Sequence, residues 1–174
     1  GRVGGVGWPD GQAWAGGVAG RGGGGVAALE DVIGIDWPAD GVQGVETVAP
    51  YLYGYAGWFT PSASAIEVGD ELDPQVILHE LSHLWFNGSL FRGRWINEAL
   101  AEEFSGQALV VAGHERPTAD PADGDGVLRL NEWGEPDLQS GEAEAQEAYG
   151  YAASASLLRR VAEEVGIEPI AGAV

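Results

Sequence analysis

The spacing of apolar positions changes at about residue 70, and the change predicts a sheet-forming half followed by a helical half. Residues 1–25 are dominated by Gly, with a run from Gly22 to Gly25. Gly raises the entropic cost of ordering, so this stretch predicts loop or irregular strand. It lacks the Gly-Lys-Ser/Thr ending of a phosphate loop. Residues 29–48 carry short apolar patches broken by Pro38, Asp40-Gly41 and Gly44. Within them, 32–35 and 45–48 read as strands. Residues 51–59 form an aromatic cluster with partial alternation, which fits sheet or core packing, or else a substrate groove. Residues 63–68 predict a further strand, ending at Gly69-Asp70.

Beyond that point the pattern is helical. Asp73 is a good N-cap and Pro74 a good first-turn residue. Ile77, Leu81 and Leu84 fall at i, i+4 and i+7, a core-facing stripe that predicts a helix stopping near Asn87-Gly88. A second helix is expected from about Trp95–Glu98 to about Val111, with Gly113, His114 and Pro117 fitting termination. Residues 118–141 are rich in Asp, Gly and Pro and read as a long acidic loop. A third helix is expected over about 142–165, ending at Gly166.

Composition narrows the partners. The formal charge is −19 and all eight cations are Arg. Such a surface repels phosphate backbones and excludes nucleic acid as a natural partner. It favours basic or neutral substrates. A GC-rich or salt-adapted source accounts for the same bias. No apolar run reaches the length of a membrane span. The chain opens Gly-Arg-Val, with no initiator Met or recognisable signal segment, which fits a mature form or an excerpt of a longer protein. Cys is absent, so disulfides and thiolate metal sites are excluded, and the compartment stays open.

The densest chemistry lies in His79-Glu80-Leu81-Ser82-His83, followed by Asn97-Glu98-Ala99. Helix positions i and i+4 share a face one turn apart, so two imidazoles there can hold one ion. Glu80 is then placed to act on a metal-bound water as general base. A tetrahedral zinc needs a third protein ligand, and without Cys the available donors are His and carboxylate. Glu98 and Glu102, one turn apart on the next helix, compete for that role. In the acidic loop Asp120, Asp123, Asp125 and Asn131 would suit calcium, but the spacing does not fit a full EF-hand loop.

The string HELSHLWF followed by WINEALAEEF resembles the gluzincin peptidases, which include thermolysin-like and aminopeptidase-N-like enzymes. The resemblance is specific from His79 to Phe104, loose from Tyr149 to Gly166 and absent elsewhere. It implies that the Glu of the Asn-Glu-Ala triplet, Glu98, is the third zinc ligand. The spacing departs from the aminopeptidase-N-like pattern: fourteen residues separate His83 from Glu98, whereas eighteen separate it from Glu102. Glu98 is preferred because a connector shortens freely. The resemblance implies that Glu102 supports His79 as its outer partner, and Glu103 is expected at the surface. It places the oxyanion donor at Tyr151, with Tyr149 as the alternative; His114 is a third candidate, as a His serves in thermolysin. It also implies that residues 63–68 form the cleft edge that pairs with substrate. The element that holds a free amine in aminopeptidases has no counterpart, though Glu67 is placed to do something similar.

The expected fold is α+β, a zincin-like catalytic domain. A small, mostly antiparallel sheet precedes the active-site helix, and a helical lobe follows. Residues 1–28 are expected as a Gly-rich, irregular segment and 29–174 as the catalytic domain. The expected function is zinc-dependent hydrolysis of a peptide or protein substrate. The competing expectation is a zinc-bearing scaffold that has lost turnover, and a third is hydrolysis of another bond, since relatives include epoxide chemistry.

Overall fold

A computed structural model of the chain describes residues 1–47, 55–117, 121, 126–137 and 141–166. Four α-helices and one four-stranded sheet are present among them, compatible with the α+β class. Val3–Val6 form β1, and Gln12–Ile33 form a 22-residue helix, α1, that runs through Gly22 to Gly25. This corrects the irregular N-terminal segment and the strand expected at 32–35. The cause is a buried stripe: Trp14, Val18, Val26, Leu29 and Ile33 recur at helical spacing and are at most 8% exposed. Two of the glycines are needed for contact. A Cβ at Gly22 would lie 2.9 Å from Val3, and one at Gly25 2.5 Å from Leu78. Burial of the stripe offsets a propensity cost of about 1 kcal/mol per Gly. The helix ends at Gly34, whose φ of 75° forms a left-handed cap. The boundary expected between residues 28 and 29 therefore lies inside α1.

The other strands are β2 (Val42–Glu46), β3 (Gly57–Thr60) and β4 (Ala65–Val68), in the order β1-β2-β4-β3. β1 pairs with β2 and β2 with β4 in parallel, and β3 with β4 antiparallel. The expectation of a mostly antiparallel sheet is thus corrected. Parallel strands need a long crossover, and α1 supplies it between β1 and β2. A Pro61–Ala63 3-10 turn, with Ser64 left-handed at φ 46°, closes the β3–β4 pair. The strand expected at 63–68 lies inside the sheet as β4, and β1 and β3 are the edges. Residues 51–54 of the aromatic cluster, and Val48 of the strand expected at 45–48, lie outside the described residues.

β1 approaches α1 closely. A Cβ on Gly5 would stand 2.3 Å from the Ala15 carbonyl oxygen and 2.6 Å from its Cα. Backbone atoms cannot step aside as a side-chain tip can. Gly5→Ala is expected to lower stability by about 1–3 kcal/mol, measured by urea unfolding at constant m-value.

α2 (Pro74–Ser82), α3 (Arg94–Val111) and α4 (Ala143–Val165) follow. The chain divides into two compact units, Gly1–Trp85 with Phe104–Arg116, and Phe86–Glu103 with Pro117–Val174. The first is built around the sheet, α1 and α2, with Ile66, Ile77, Leu81 and Phe104 fully buried. In the second, Ala99, Leu100, Trp133 and Leu158 are buried. No described helix is long and apolar enough to cross a membrane.

Candidate metal centre

α2 begins where its sequence says. The Asp73 carboxylate accepts from the Gln75 backbone N–H at 2.8 Å, and Pro74 opens the first turn. Ile77, Leu78 and Leu81 are buried, which fixes the rotation of the helix about its axis. The helix ends five residues earlier than expected, at Ser82, with His83 as its C-cap. The cause is non-local. The Trp85 indole N–H donates to the Asp36 carbonyl at 3.2 Å, and its ring meets Trp37 edge-on at 5.2 Å. Trp37 is itself held, its backbone N–H donating to Glu30 at 2.9 Å. That bond, with Arg2 beside it, keeps the Glu30 carboxyl below the usual range. Anchored there, Trp85 draws the chain into tighter turns, with bonds from Leu84 N–H to Leu81 and from Trp85 N–H to Ser82.

His83 nonetheless keeps its helical relation to His79. It has φ −64° and ψ −10°. The two rings lie 5.0 Å apart at 82°. His79, His83 and Glu98 each offer one ligand atom, and all three atoms lie within 4.8 Å of one another. The group could hold a metal ion. Its donors, two imidazoles and a carboxylate, suit a divalent ion that accepts both nitrogen and oxygen. Glu102, favoured by spacing, does not belong to the group. Next to Glu98, Asn97 Oδ1 is buried with no hydrogen-bond partner among the described residues. Such a group costs about 1–3 kcal/mol.

Glu80 is 7% exposed and sits against β3, where a Cβ on Gly57 would lie 2.8 Å from both its Cγ and Oε1. Glu103, expected at the surface, is 2% exposed. It lies one turn after the buried Ala99, on a stretch of α3 buried nearly all round.

Tyr151 lies on α4, and its hydroxyl oxygen accepts from the Arg94 guanidinium at 3.2 Å. Arg94 opens α3 one turn before Glu98. Glu147 grips the same guanidinium through both carboxylate oxygens, at 2.6 and 2.5 Å, and also accepts from the Trp133 indole at 2.8 Å. Arg94 lies 4.3 Å over the Trp133 ring, and Trp133 meets Tyr151 edge-on at 5.0 Å. Arg94 and Glu147 are not among the residues that the sequence singles out. Each stands four positions before one that is, and that offset is a readable signal.

No other candidate enters the described ligand group. His114 is exposed and lines a cavity of about 720 Å³ with α1 residues, among them Arg21 and Asp31, and with Ile77 and Leu78. Glu67 is on β4, paired with Trp58 of β3. Tyr149 is half-buried on α4. Asp120, Asp123 and Asp125 lie outside the described residues, and Asn131 is in a 3-10 turn. No protein-family model, curated protein or solved structure matches the chain.

Proposed function

We propose that this chain is a zinc-dependent peptidase of gluzincin type on a zincin-like fold. In this reading His79, His83 and Glu98 are the metal ligands, Glu80 is the general base and Tyr151 is the oxyanion donor. The observation that carries it is the convergence of one ligand atom from each of His79, His83 and Glu98. The order of elements supports it too, with a small sheet preceding α2 and two helices following.

His79, His83 and Glu98 would hold the zinc, which would supply activation of a water and polarisation of a carbonyl. Glu80 takes the proton from the attacking water on a carboxylate oxygen. It then passes that proton to the leaving amine nitrogen and is regenerated. The Tyr151 oxygen accepts from Arg94, which directs its O–H hydrogen away from the guanidinium and toward donation. Donation to the oxygen gaining negative charge is the role assigned to it. Arg94 and Glu147 act as positioning residues, holding the phenol through the first turn of α3.

Zinc-loaded protein is expected to cleave an internally quenched peptide. A chelator should remove the activity, and one equivalent of zinc should restore it. Peptide binding without cleavage by folded, zinc-loaded protein would favour a scaffold instead.

A further inference from the structure

The inward face of the edge strand β3 is built against Glu80 of α2 and against His83, the C-cap of that helix. Successive strand residues point to opposite faces, so Gly57 and Phe59 share one face and Trp58 takes the other. The contacts agree. Phe59 stacks on the His83 ring at 6.3 Å and 18°, whereas Trp58 is 41% exposed. A Cβ on Gly57 would lie 2.8 Å from Glu80 Cγ, Glu80 Oε1 and Val76 Cγ1. Gly57 is not among the described glycines of positive φ, which are Gly34, Gly93, Gly113 and Gly166. Its backbone therefore tolerates any side chain, and it is space that calls for Gly.

We infer that Gly57 and Phe59 are positioning residues, Gly57 keeping the slot that sets the Glu80 carboxylate and Phe59 setting the ring plane of His83. The assignment rests on the peptidase reading for the role of Glu80, and on the candidate metal group for that of His83. Glu80 is too buried to swing into solvent, so a methyl group at position 57 must displace its carboxylate from where it stands. Val76 is β-branched and stiff at χ1, so it offers little relief from the other side. Phe59 gives His83 a flat apolar backing, and its loss removes that constraint on the plane of the ring. Orientation of a ligand ring by its surroundings typically alters metal affinity or activity about 10- to 100-fold.

The two positions are thus expected to separate metal binding from turnover. In Phe59→Leu, zinc affinity, read by competition with a chromophoric chelator, should fall about 10-fold. In Gly57→Ala, zinc affinity should stay within about twofold while kcat falls about 10-fold or more at unchanged KM. Thermal unfolding of the metal-free protein supplies a test without activity. The loss in melting temperature caused by Gly57→Ala should shrink when Glu80 is also replaced by Ala. If both variants change affinity and kcat in parallel, or if the Gly57→Ala penalty is equal with and without the Glu80 side chain, the inference is overturned. If the parent protein binds zinc but cleaves no peptide, the peptidase reading fails and takes the Gly57 role with it. The Phe59 role is then decided by zinc affinity alone.

Discussion

Glu80→Gln is expected to keep its zinc and to lose peptide hydrolysis by about 10²–10⁴-fold, the usual contribution of a positioned acid–base group. The amide matches the carboxylate in shape, so it fits the slot beside Gly57 where Glu80 lies buried. It cannot take a proton from water. The fall should therefore appear in kcat, with KM little changed, because an interaction specific to the transition state has been removed. Zinc content by elemental analysis and turnover under saturating peptide check the two halves together. Retained hydrolysis in the zinc-replete Glu80→Gln variant would end the proposed role of Glu80.

The second large effect concerns the third ligand. Glu98→Gln should weaken zinc binding by more than the roughly 10- to 100-fold that loss of an outer partner costs. Glu102→Gln should remain at or below about 10-fold. The contrast follows from the ligand group, which includes Glu98 and not Glu102. Chelator competition on both variants at one pH measures it. Equal losses, or the larger loss in the Glu102 variant, would restore the ligand that spacing alone prefers.

Features that depend on local chemistry are readable along the chain. The start of α2 follows from Asp73-Pro74, and the extents of α3 and α4 from their apolar spacing and the glycines beyond them. The pairing of His79 with His83 follows from one helical turn. α1 is hidden because its Gly content outweighs the stripe from Trp14 to Ile33, although that stripe is visible once Gly22 and Gly25 are taken as contact positions. With α1 hidden, the crossover that makes β1 and β2 parallel is hidden too. The early end of α2 depends on Trp85 reaching Asp36, 49 positions away, and no local pattern encodes that. Gly57 and Phe59 meet α2 across strand and helix, and that contact has no sequence offset. Glu103 is buried because α3 is packed nearly all round, which a charged residue inside an amphipathic pattern does not advertise.

Everything proposed for this chain turns on the metal, and anomalous diffraction from zinc-loaded crystals, recorded on both sides of the zinc edge, locates it. One strong peak is expected within bonding distance of His79, His83 and Glu98. A well-ordered structure with those three side chains turned apart and no peak among them, or a peak bound through Glu102 in place of Glu98, would refute the ligand set.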